Sequence, residues 1–148
     1  MTILVDADAC PVKEEIYRVA LRHEVSVYVI ANQRIRTPSH PSIKFFKVDD
    51  GFDAADDAIA EVASPKTIVV TSDILLAERV LNKGAACLSP TGKEFTDADI
   101  GNAVATRAIM ADLRAGGEQI GGPKPFSKQD RSKFLQELDR LIIQLKRR

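Results

Sequence analysis

Two carboxylates, Asp6 and Asp8, close the apolar run Thr2-Ile3-Leu4-Val5 and are followed at once by Cys10-Pro11 and a helical pattern. A short apolar run leading into a helix reads as a buried strand, and α/β proteins place their ligands at the carboxyl ends of such strands. A second run, Thr67-Ile68-Val69-Val70-Thr71, ends in Ser72-Asp73 before another helix. Asp6, Asp8 and Asp73 are therefore expected to meet at one edge of a sheet. Carboxylates gathered in this way repel one another unless a cation neutralises them, so the chemistry expected of them is that of Mg²⁺ or Mn²⁺ held by oxygen ligands. Such ions act on phosphodiesters, alone or in pairs, by activating water and steadying the leaving oxygen.

Further acids follow the later strands. Asp49, Asp50, Asp53 and Asp57 come after a third expected strand, and Asp97 and Asp99 after a fifth. Each acid also has a purely structural use. Asp8 suits a cap for the Pro11 helix, Asp53 a cap for the next, and Asp97 and Asp99 suit the positive end of a helix dipole. The structural use is favoured for Asp49, Asp50, Asp97 and Asp99. It is weaker for Asp6, which lies too far ahead of its helix to cap it, and for Asp73, because Ser72 offers the third helix its cap.

Positioning these acids requires alternating strands and helices. After the first strand, Val12, Ile16, Val19 and Ala20 form the apolar face of a helix that starts at Pro11 and runs to about His23. Strands are expected at 25–31, 43–48, 67–71 and 85–88, and helices at about 54–63 and 74–82, the last ended by Gly84. The connection from Ala31 to Ile43 is near the lower length limit for a parallel crossover and equally suits a hairpin. Thr96 to Asp99 and Ser127 to Asp130 read as capping boxes opening two C-terminal helices, separated by a Gly- and Pro-rich linker. On the second, Phe134, Leu138, Leu141 and Leu145 share one face. The fold class is thus α/β, a mostly parallel, Rossmann-like sheet of about five strands flanked by helices, with a C-terminal helical pair.

At 148 residues and 45% hydrophobic, the chain is expected to form one domain over 1–148, with a helical arm from about residue 117. Its apolar stretches are strand-sized and its first residues lack the pattern of a signal peptide, which predicts a cytoplasmic protein with no membrane span. Two Cys and two His at these spacings exclude a disulfide framework and a zinc motif. Cys10, at a helix start but flanked by acids, is expected to be a small buried residue rather than a reactive thiolate. The net charge of zero conceals an acidic body, −5 over residues 1–106, and a basic C-terminal part, +5 over 107–148. An acidic site for cations beside a basic surface for a polyanion is one use of such asymmetry, and ordinary solvated faces are the other.

Four ordered motifs carry a family resemblance: Asp6-Ala-Asp-Ala-Cys-Pro11, Gly51-Phe-Asp-Ala-Ala-Asp56-Asp57, Thr71-Ser-Asp-Ile-Leu-Leu-Ala77, and Gly122-Pro-Lys-Pro-Phe126 with Asp130-Arg131. Together they resemble the YaiI/YqxD family of bacterial proteins, over residues 2–145. That family is itself similar to PIN-like domains, which are metal-dependent nucleases. The resemblance implies a single PIN-like α/β domain. It also implies a metal-binding set of Asp6, Asp73 and an acid of the helix bearing Asp53 and Asp57, with Asp8 added. Two departures stand out: Leu75 occupies a position where the family suggests proline, and Asp97 and Asp99 lie well beyond Leu88, leaving the place of a fourth ligand open.

The leading expectation is a Mg²⁺- or Mn²⁺-dependent phosphodiesterase acting on RNA, with Asp6, Asp8 and Asp73 as catalytic acids. Arg34, Arg36, Lys124, Lys128, Arg131 and Lys133 are the candidates for holding the nucleic-acid backbone. A phosphatase of the haloacid-dehalogenase type, with Asp6 as nucleophile and Asp8 as acid/base, is the rival enzyme. A PIN-like scaffold that binds RNA or protein without cleavage is the third possibility.

Overall fold

The strands at the centre of the sheet, Thr2–Asp6 (β1) and Thr67–Val70 (β4), are built from Val, Ile, Leu and Thr and are buried on both faces at their interior positions. That composition is what a parallel sheet covered by helices requires. The computed structural model describes residues 1–8, 10–48, 54–101 and 126–147. Within them, β1 is followed by α1 (Lys13–His23), β2 (Ser26–Ala31), β3 (Ile43–Lys47), α2 (Ala54–Val62), β4, α3 (Ile74–Leu81), β5 (Ala86–Leu88), β6 (Glu94–Phe95) and α4 (Lys128–Lys146). Residues 97–101 are helical, and the expected arm before residue 126 lies outside the described residues.

The six strands run in the order β3-β2-β1-β4-β5-β6. All neighbouring pairs are parallel except β5 and β6, which form an antiparallel hairpin. The strand beyond the expected five is β6. The connection from Ala31 to Ile43 is a parallel crossover, with Val27 opposite Ile43, although residues 32–42 contain no helix. The order reverses between β1 and β4. A doubly wound sheet opens a crevice at such a switch point, outside the carboxyl ends of the strands.

Alternation along β1 divides the core. Ile3 and Val5 face α1 and α4, where they pack with Ile16, Phe134, Leu138 and Ile142. Leu4 faces the other way, toward Ile59 of α2 and Leu76 of α3. The expected α4 face, Phe134, Leu138, Leu141 and Leu145, is the one buried. α4 opens with the Ser127 and Asp130 capping box, and at 97–101 the Thr96 hydroxyl accepts from the Asp99 backbone N–H while donating to the Asp99 carboxylate.

Two close contacts fix α4. Glu15 of α1 is buried, and its Oε1 accepts from Arg131, whose guanidinium also lies over the Phe126 ring, 5.4 Å from its centroid. Gly92, in the hairpin turn with φ 87°, lies so near α4 that an added Cβ would stand 2.7 Å from the Lys133 carbonyl carbon and 2.8 Å from the Phe134 nitrogen. Among the described residues no helix is long and apolar enough to cross a membrane.

Candidate functional site at the switch point

Val5 of β1 lies opposite Val70 of β4, so the next residues, Asp6 and Thr71, leave the sheet side by side. Thr71 is buried, and its hydroxyl donates to Asp6 Oδ2 at 2.8 Å while accepting from the Asp73 backbone N–H at 3.0 Å. One threonine therefore ties the carboxyl ends of β1 and β4 together and orients Asp6. Burial pushes the Asp6 carboxyl above its ordinary pKa, and the charges of Asp73 and Asp8 push the same way, against the Thr71 hydrogen bond. Asp6 thus feels the charges of both Asp8 and Asp73.

Asp8 and Asp73 are aimed differently from expectation. Asp8 does not cap the Pro11 helix. Its carboxylate accepts from the backbone N–H of Asn32 at 2.9 and 3.1 Å and of Gln33 at 3.4 Å, which pins the loop after β2 against the loop after β1. α1 begins at Lys13 rather than Pro11, with Val12 at its cap position and no side-chain cap bond. The cap of α3 is not Ser72 but Asp73, whose Oδ1 accepts from Leu75 N at 2.9 Å and Leu76 N at 3.4 Å. This corrects the premise that left Asp73 without a structural use.

The remaining candidates are scattered. Asp57 is exposed and accepts from Arg79 of α3 at 2.9 Å, while Asp99 accepts from the Thr96 hydroxyl at 2.9 Å. Asp49, Asp50, Asp53 and Lys124 lie outside the described residues. Among the basic candidates, Arg131 is drawn into the Glu15 ion pair, whereas Lys128 and Lys133 are exposed on α4. Arg34 and Arg36 are exposed on the loop that Asp8 anchors. Cys10 and Cys87 are buried free thiols with raised pKa values, Cys87 pushed up to about 12, and burial is the leading cause for both.

Three partners escaped the sequence reading. Thr71 is one of them, and its signal is a hydroxyl beside a buried carboxylate. Lys13, whose ammonium donates to the Cys10 carbonyl at 2.9 Å, closes the loop after β1. Asn32 acts through its backbone, which no side-chain pattern reveals.

The donors suit a hard cation in kind, being carboxylate and hydroxyl oxygens. Among the described residues, however, no three His, Cys, Asp or Glu side chains are grouped so as to hold a metal ion. Asp8 faces the β2 loop and Asp73 its own helix, so a cage around Asp6 requires one or both to change rotamer.

Comparison with known proteins decides the kinship. The pattern described as "Uncharacterized BCR, YaiI/YqxD family" matches residues 4–144. The chain belongs to the YaiI/YqxD family. It is similar to a UPF0178 protein of Sphingopyxis alaskensis, 65% identical over 98% of this chain and 95% of that one. UPF0178 proteins of Jannaschia sp. and Rhodopseudomonas palustris are 56% and 54% identical, each over at least 97% of this chain and 94% of the relative. No solved structure matches. The YaiI/YqxD match spans both strand ends at the switch point and the C-terminal helix packed behind them.

Proposed function

We propose that this YaiI/YqxD protein hydrolyses phosphodiester bonds in nucleic acid, RNA foremost, with Mg²⁺ or Mn²⁺ held by Asp6, Asp8 and Asp73. The observation that carries the proposal is Asp6 itself, a part-buried carboxylate fixed by Thr71 at a topological switch point and flanked by two further acids. Desolvation and like charge disfavour its ionised form, and both penalties diminish when a cation sits beside it. The bound ion would supply neutralisation of phosphate charge and a water of lowered pKa. Thr71 keeps Asp6 turned toward the crevice. Asp8 and Asp73 would give up backbone hydrogen bonds to hold the ion, which would couple its binding to the β2 loop and to the start of α3. Cleavage of a labelled single-stranded RNA with Mn²⁺ tests the reading: it should stop in chelator and fall at least about 100-fold in Asp6→Asn. Equal cleavage by wild type and Asp6→Asn would refute it.

The Thr71 hydroxyl at 2.8 Å from Asp6 also favours a second reading, an aspartyl-phosphate phosphatase with Asp6 as nucleophile. A stable phosphate mimic trapped on Asp6, with no cleavage of RNA, would select it instead.

A further inference from the structure

We infer that the loop after β2, together with the edge strand β3, is a binding shelf for single-stranded nucleic acid leading to Asp8. The inference deepens the proposed function by naming the form of the substrate, and it rests on that reading only for the phosphodiester chemistry. Residues 34–38 are without regular hydrogen-bonded structure, and Pro38 and Pro41 restrict the loop backbone. Ile35 packs against the core cluster while Arg34 and Arg36 on either side of it are exposed.

The two arginines differ from the four that are ion-paired among the described residues. Arg22, Arg79, Arg131 and Arg140 are all committed to carboxylates. Arg34 and Arg36 have no ion-pair or hydrogen-bond partner among the described residues, so their guanidiniums present unused donor forks, the geometry that binds phosphate best. Together with Ile35, Thr37 and Phe45 they line an open cavity of about 590 Å³. Phe45 is half-buried there on the edge strand, and Lys47, two residues on and therefore on the same face, is exposed toward the carboxyl end. Cations along a groove with an aromatic ring at its floor are what a flexible strand with unstacked bases requires. The Asn32 and Gln33 bonds to Asp8 hold this shelf against the acidic site, so a strand lying on it is delivered to the switch point. The C-terminal helix is less suited, because Arg131 is already engaged by Glu15.

Fluorescence anisotropy with a labelled 12-nucleotide RNA, the same sequence as DNA, and an RNA duplex, all in chelator, separates binding from any cleavage. Both single strands should bind the wild type, with affinity falling with salt, and the duplex should bind more weakly. Arg34→Ala with Arg36→Ala should weaken single-strand binding on the order of tenfold and lower the slope of log affinity against log salt by about 1.4, the release expected for two phosphate contacts. Phe45→Leu, which keeps apolar bulk but removes the ring, should weaken it by a similar factor. Thermal melts that match wild type show that each variant is folded. Unchanged affinity and slope in the double variant, absence of wild-type binding, or preference for duplex would overturn the shelf. Arginine-dependent binding without metal-dependent cleavage would uphold the shelf and refute the nuclease reading, and cleavage unaffected by the arginines would do the reverse.

Discussion

Burial, aided by the charges of Asp73 and Asp8, holds the Asp6 carboxyl above its ordinary pKa even though the Thr71 hydroxyl favours the ionised form. Between the unfolded value of about 4 and the raised native value, the folded protein keeps a proton that the unfolded chain has lost, so stability falls as pH rises through that window. Asp6→Asn, which can still accept from Thr71, should flatten that fall and raise the melting temperature at neutral pH in chelator by a few degrees, since ~1 kcal/mol moves a domain of this size by roughly 2–4 °C. Mn²⁺ should raise the melting temperature of the wild type in proportion to the logarithm of its concentration, and the same substitution should abolish that increase. Thermal melts over pH and metal check both. The place of Asp6 at a strand end was legible because strand-end acids follow from a period and a length. The aim of Asp73 was not, since Ser72 and Asp73 are both good caps and only the backbone decides which one reaches the open N–H groups of α3.

The elements that hold the site make separate predictions. Arg131 is 46% exposed at its side chain whereas Glu15 is 5% exposed, so removing the arginine strands a buried carboxylate whose Oε2 has no hydrogen-bond partner among the described residues. Arg131→Met should cost on the order of 2 kcal/mol, below the ~3–5 kcal/mol of a fully buried pair because the arginine is half in water. Adding Glu15→Gln should recover much of that loss, as chemical denaturation of the three variants would show. Gly92→Ala combines a positive φ with a close approach to the α4 backbone and should destabilise by more than ~1 kcal/mol, with loosening of the β5–β6 hairpin visible in hydrogen exchange. The buried face and the cap of α4 were readable in advance, as Phe134, Leu138 and Ser127 illustrate, whereas the caps of α1 and α3 were not. β6 was not, because two residues set no period and its pairing comes from the turn at Gly92. The parallel pairing of β2 with β3 was equally open, since the sequence of 32–42 suits both routes and the burial of Ile43 beside Val27 decides between them.

At the scale of the whole molecule, the strand order reverses between β1 and β4, and that reversal brings Asp6 beside Thr71 although they are far apart in sequence. The charge asymmetry proves less informative than it looked. Part of the C-terminal positive charge, Arg131 and Arg140, is spent on Glu15, Glu94 and Glu137, while the unpaired arginines of the β2 loop belong to the acidic body. A sequence-wide charge sum cannot register which cations are neutralised by contacts distant in the chain. The central claim is that Asp6, Asp8 and Asp73 jointly hold a divalent ion, and the most direct measurement is anomalous diffraction at the manganese edge from crystals grown with Mn²⁺. The account predicts a peak within coordination distance of Asp6 and at least one of Asp8 and Asp73, with that partner rotated away from its backbone hydrogen bonds and the peak lost in Asp6→Asn. Well-ordered density in which Asp8 still holds Asn32, Asp73 still caps α3 and no peak lies beside Asp6 at millimolar Mn²⁺ would contradict it.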